Sequence, residues 1–467
     1  MNFKLKNKSG ITLIALIITI IVMLILVGVV VTVVIQSNLL GTAKTAGDKY
    51  KTAYEDESNM SEVTINGEKY ASIEDYIEST KPLPEIKAGE RAETNSNYKG
   101  VTIPKGFTVS KIPEETTIDG GLVIYDIPEE DLENAGEDFW TKTTTVGTEN
   151  YPTVQCDYNQ FVWVPVETPY VTKAELNKIM SDSNGSITTE KAALQSLVDS
   201  GKYPMAVELA NGTDYRGVLY SFSTGTNKVN IEVKDFSTEA NYDDGSVTYY
   251  REPAKLSSTD SSYVNQTEEP KLDMQTEYNK IVKSVKAQNG FWVARYELSY
   301  NTKGESKRGK TVANAGDSAT NKWYGLYNAC KTVSIANNKN EMQSSMIYGS
   351  QWDQIMIWMK EVKNTEDNSK YYILDSSYMG NYSTSSGGTG KKQVSGYKNV
   401  YGVKQIFDLG GNLGDWTTEA GGARSRVLRG GFCSTSGSDY PASLRHSVGP
   451  ESTGSIISAR VALYVSL

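Results

Sequence analysis

Histidine is nearly missing from this chain: one residue in 467, His446. That excludes paired-histidine metal centres and histidine proton relays. Cysteine is almost as scarce. Three residues with no CxxC spacing make neither a disulfide scaffold nor a zinc ribbon. Excess positive charge is also lacking. Lys and Arg number 47 against 56 acids, a net charge of −9, which argues against a nucleic-acid partner. Phenylalanine is sparse too, whereas tyrosine is abundant, 9 against 30. Amphipathic aromatics in such number suit wet faces and binding surfaces.

Long apolar runs occur in one place. Residues 1–10 form a basic leader with Lys4, Lys6 and Lys8 and no acid, and no charged residue occurs from Ile11 to Ile35. As a helix those 25 residues would extend about 37 Å, enough to cross a bilayer core with some tilt. The lysines would keep the N-terminus cytoplasmic and place the rest outside. A single N-terminal membrane anchor at the cell surface is therefore expected. Residues 36–97 read as a stalk helix, a small hairpin turning at Asn66-Gly67, and a linker from about 80.

The junction Ser9-Gly10-Ile11-Thr12-Leu13-Ile14 resembles the type IV prepilin signal. The resemblance implies cleavage between Gly10 and Ile11 by a prepilin peptidase, methylation of the new N-terminus, and pilin-like subunits as partners. Ala15 stands where the family has a glutamate, which weighs against a major filament subunit. A plain uncleaved anchor is the alternative.

From about residue 98 short apolar runs alternate with turn signals: GGLVIYDI, FVWVPV, GFWVARYEL, RVLRGGF, ARVALYV. Helical patterns cover 172–199, about 272–287 and 350–362, the last placing Trp352, Ile355, Met356 and Met359 on one face. Residues from about 165 to 271 are polar and irregular and read as a large insertion. The expected class is α+β with irregular connections.

Three boxes organise the C-terminal part: IFDLGGNLGDWTT at 406–418, RVLRGGF at 426–432, and ARVAL at 459–463. With FVWVPV, GFWVARYE and YGSQWDQIM upstream, they resemble the formylglycine-generating-enzyme-like (sulfatase-modifying-factor) family across 98–467. The resemblance implies an irregular C-type-lectin-like fold, with Trp416 as a core anchor. The oxidases of that family hold copper with two cysteines after the R-G-G box. This chain has Cys433 alone there, so a catalytic role is not expected. The family also implies a structural calcium, here on Asp408, the carbonyls of Gly411 and Leu413, and Asp415. The stretch after the box, 434–458, corresponds to the exposed face that variable receptor-like relatives diversify. Its candidate ligand-binding residues are Ser434, Thr435, Ser436, Asp439, Tyr440, Arg445, His446 and Glu451.

The expectation is a prokaryotic, surface-displayed, non-catalytic protein presenting a C-type-lectin-like domain to an unknown extracellular ligand. A structural minor pilin and a formylglycine-type oxidase are the alternatives.

Overall fold

The computed structural model describes residues 17–24, parts of 63–80, and 81–465 except 235–240, 244–247, 251, 301–303, 314–321, 334–341 and 386. Two units divide the chain, Met1–Pro82 and Leu83–Leu467.

In the first unit, residues 17–24 are helical. Val63–Ile65 pairs antiparallel with Glu68–Tyr70, as the hairpin reading requires, although Asn66 and Gly67 lie outside the described residues. Gly10, Ile11, the stalk and most of the 11–35 run also lie outside them. Among the described residues no helix is long and apolar enough to cross a membrane.

Twelve strands carry the second unit: β1 (Thr108–Val109), β2 (Val123–Asp126), β3 (Asn159–Pro165), β4 (Asn241–Asp243), β5 (Thr248–Tyr250), β6 (Gly290–Ala294), β7 (Met342–Met346), β8 (Gly414–Gly421), β9 (Ser425–Arg429), β10 (His446–Val448), β11 (Ile457–Ala459) and β12 (Val461–Val465). Helices α1 (Lys173–Asp182) and α2 (Glu190–Asp199) pack on each other and on the strands Tyr170–Thr172 and Val229–Val233, while α3 (Met274–Gln288), α4 (Trp323–Lys331) and α5 (Gly349–Trp358) pack on those twelve.

One antiparallel sheet runs in the order β7-β12-β6-β3-β2-β1. Successive side chains of a strand point to opposite faces. Along β3, Phe161 and Trp163 enter one core with Trp292, Trp323 and Trp416, whereas Val162 and Val164 enter a second with Tyr278, Trp352 and Met356. Burial on both faces explains why FVWVPV and GFWVA are continuous apolar runs. A second sheet runs β4-β5-β8-β9-β10, with β11 parallel to β8. All eight residues of β8 are buried.

Helix α3 starts at an Asp273 cap and ends at left-handed Asn289. The expected face of α5 is present, since Trp352, Ile355, Met356 and Met359 are wholly buried. The 172–199 pattern is two helices. Asn184 and Gly185, at φ 52° and 83°, lie in the turn between them. Helix α4 was not visible as a helical pattern.

One boundary reading changes. The stretch taken as a linker joins the second unit from Leu83 onward, with Ala92 fully buried and Glu85 bridged to Asn97. The insertion is not loose. It has its own core of Leu176, Leu194, Val207, Val218 and Tyr220, and its strand β5 pairs with β8.

Candidate functional site

The R-G-G box sets the geometry of the candidate face. β9 ends in Gly430 and Gly431, both left-handed at φ 91° and 70°. A Cβ on Gly430 would stand 2.7 Å from the Leu409 carbonyl oxygen, and one on Gly431 only 2.4 Å from that of Tyr440. Glycine alone permits both the backbone angle and the close approach. The Gly411 amide donates to the Gly430 carbonyl at 2.6 Å, tying the G-G-N box to the R-G-G box. The Tyr382 hydroxyl lies 2.5 Å from the Gly430 carbonyl oxygen and 2.7 Å from that of Tyr440. Trp416 is wholly buried beside these turns, as a core anchor should be.

On this base Phe432, Tyr440 and His446 form a ring cluster at the surface. Their centroids are 5.9, 6.2 and 6.2 Å apart, with His446 set edge-to-face against the other two. Phe432 and Tyr440 are half-buried and His446 is exposed. Partial desolvation against its neighbours lowers the imidazole below its ordinary pKa. Around the rings, Ser434, Ser438 and Asp439 are exposed, and the Ser436 hydroxyl donates to Asp439 at 2.7 Å. Thr435 closes the turn, its hydroxyl donating to the Phe432 carbonyl at 2.8 Å.

A second loop borders the first. The Ser383 amide and hydroxyl donate to the Thr435 carbonyl at 3.1 and 2.7 Å, and the Ser376 amide donates to that of Gly437 at 2.9 Å. Residues 383–392 therefore extend the face with exposed Ser383, Thr384, Thr389, Lys391 and Lys392. Sequence reasoning missed this loop and Phe432. The shared Ser/Gly/Thr composition of the two loops was the available signal.

Arg445, expected among the ligand contacts, is buried instead. Its Nη2 meets Asp353 at 2.5 Å and its Nε meets Glu419 at 2.6 Å. Arg429 meets the same two carboxylates at 2.9 and 3.2 Å. Two guanidiniums and two carboxylates thus form a closed ring, with every side chain at most 2 % exposed. The cause is register: His446 pairs with Leu428 across β9–β10, and the preceding arginine turns inward to charges that need it. Glu451 is half-buried and bound to Lys322 at 2.5 Å, so it too has a structural partner.

The positions expected to hold calcium, Asp408, Gly411, Leu413 and Asp415, lie in a buried loop that Arg460 also enters. Asp408 and Asp415 are buried, and each retains one carboxylate oxygen without a hydrogen-bond partner. The other oxygen of Asp415 receives Arg460 Nε at 2.9 Å, and Arg460 Nη2 donates to the Phe407 and Asp408 carbonyls at 3.0 and 3.1 Å. A guanidinium thus joins the parts of the loop that an ion would have drawn together. The Leu413 amide is held by Glu297 at 2.9 Å. Burial raises Asp408 to about 7 and Asp415 to about 6 against the pull of Arg460. Among the described residues no group of three or more His, Cys, Asp or Glu is placed to hold a metal. Arg460 supplies one positive charge among three buried carboxylates, those of Asp408, Asp415 and Glu297.

All three cysteines are buried free thiols, each raised in pKa by burial, Cys433 among them. Such thiols are poor nucleophiles.

No protein-family model matches the chain, and no curated protein matches it. Among solved structures, it is similar to Treponema denticola variable protein 1. Identity is 12 %, the match covers 69 % of this chain and 98 % of that one, and the TM-score is 0.24. A likeness that low fixes neither the fold nor the function.

Proposed function

We propose that this chain is a surface-displayed, non-catalytic ligand-binding protein. Its N-terminal run anchors it in the membrane or, after cleavage at Gly10, within a pilin-like assembly. Its second unit presents the two-loop face. The observation that carries the reading is the exposed ring cluster Phe432–Tyr440–His446 on a rigid base. Aromatic groups held half-exposed among small hydroxyl side chains are a recognition surface. The oxidase alternative lacks the cysteine pair, and the thiol that remains is buried.

The test is capture of the purified full chain on arrays of extracellular proteins and glycans, with parent and the Tyr440→Ala and His446→Ala variants side by side. Interface anchors of this kind cost about 2 kcal/mol or more when truncated. A roughly 30-fold loss of capture in folded variants supports the face. Capture that both variants leave unchanged removes it.

A further inference from the structure

Apart from the two-loop face, a cavity of about 470 Å³ opens in the second unit. Its size is that of a small-molecule site. Four carboxamide side chains line it: Asn150, Gln155, Asn399 and Gln405. They come from two stretches, 150–155 and 399–405, that folding brings together.

Formal charge at the floor is cancelled. Arg295 Nη1 meets Glu115 at 2.6 Å, and both side chains are at most 2 % exposed. The same carboxylate also accepts from Ser110, Tyr125 and Gln155 at 2.6, 2.8 and 2.7 Å. The rim carries one charge of each sign, Glu114 and Lys404. The Lys404 ammonium is engaged over the Trp358 ring at 4.4 Å and donates to the Asp119 carbonyl at 3.1 Å.

The wall is held in an unusual backbone. Lys404 and Gln405 are consecutive non-glycine residues at φ 48° and 63°. Such conformations cost energy and persist where the surroundings enforce them. Here Arg295 Nη2 donates to the Gln405 amide oxygen at 2.5 Å, and the Gln405 amide nitrogen donates to the Glu114 carbonyl at 3.2 Å. Tyr151 and Phe407 add aromatic wall, fixed by the Arg308 guanidinium at 3.8 and 4.4 Å from their ring centroids.

We propose that this cavity binds a neutral saccharide. A sugar hydroxyl both donates and accepts, and the exposed Asn150 and Asn399 carboxamides at the rim offer one group of each kind, while Gln155 and Gln405 are held by Glu115, Arg295 and Glu114. A phosphate or carboxylate ligand would need a free cation here, and Arg295 and Lys404 are both engaged. Both charges at the floor are already paired. The site is independent of the ring cluster and does not rest on it.

The test is saturation-transfer NMR and calorimetry on the full chain with glucose, galactose, mannose, N-acetylglucosamine and N-acetylgalactosamine, and inorganic phosphate as the control. At least one sugar is expected to bind, and phosphate is not expected to compete. Asn150 and Asn399 sit at the exposed rim, so Asn150→Leu and Asn399→Leu should fold, which a melting curve checks. Each should weaken sugar binding about tenfold or more, whereas Tyr440→Ala should leave it unchanged. The isosteric Asn399→Asp, which preserves side-chain size, should weaken it as well. No binding by any of the sugars, competition by phosphate, or binding that survives every rim variant would overturn the assignment. Loss with Tyr440→Ala alone would move the sugar to the ring cluster and overturn it equally.

Discussion

Arg445 and Tyr440 are five positions apart and do opposite work. Arg445 completes a buried ring of charges, and breaking such a ring leaves Asp353 and Glu419 short of a partner. Arg445→Ala should therefore destabilise the second unit by about 3–5 kcal/mol, read by denaturant titration. Glu252 is a second buried carboxylate with measurable consequences. It accepts the Gly349 and Ser350 amides at 2.5 and 3.0 Å, capping α5 from a distant loop. Burial, reinforced by repulsion from Glu419, raises its pKa to about 7 from 4.5. The folded state then holds a proton that the unfolded state releases. The contribution is full below the unfolded pKa and is lost as pH rises through about 7. Glu252→Gln should flatten the fall in melting temperature between about pH 5 and pH 7.5. An unchanged slope would show that Glu252 is ionised throughout. None of this was legible in the sequence, because Asp353, Glu419 and Glu252 lie 92, 26 and 193 residues from Arg445. Trp416 was legible, since a tryptophan inside a glycine box has little use except packing.

At the scale of elements, the strands were the easiest to read. Sheet burial on both faces leaves continuous apolar runs, and β3, β6 and β12 lie where those runs are. Helix α4 escaped because its WYGLYNACK pattern buries six of nine residues and shows no polar stripe. The apposition of 383–392 with 434–440 escaped because hydrogen bonds between remote loops leave no periodic trace. The glycines separate backbone strain from crowding. Gly422 is left-handed with open space where a Cβ would go, whereas Gly431 is left-handed against the Tyr440 carbonyl. Gly422→Ala should cost about 1–2 kcal/mol, the price of left-handed backbone alone. Gly431→Ala should cost clearly more and displace Tyr440, seen as a melting-temperature drop and a changed tyrosine environment. Equal costs would mean that the two loops can part freely. The leader is a separate element with its own test. Mass spectrometry of the native protein should find a chain starting at Ile11, N-methylated; a start at Met1 leaves the plain anchor.

For the whole molecule, the account divides the labour. A double core with tryptophans at its centre and arginine–carboxylate pairs between its layers holds the second unit rigid. Two loops rich in serine and glycine border each other at the surface. The G-G-N and R-G-G boxes meet in space, where their turns are hydrogen-bonded to each other. Arg460 of the terminal box reaches Asp415 and the Phe407 and Asp408 carbonyls directly. Scaffold truncation should be felt globally: Trp416→Ala should cost about 3–5 kcal/mol. The most direct measurement of the central claim is hydrogen exchange on the full chain, with and without a ligand captured on the arrays. Protection gained over 383–392 and 432–446, with the Asp353–Glu419–Arg429–Arg445 ring unchanged, is the predicted result. Protection confined to 165–271, or none on either loop, would contradict it.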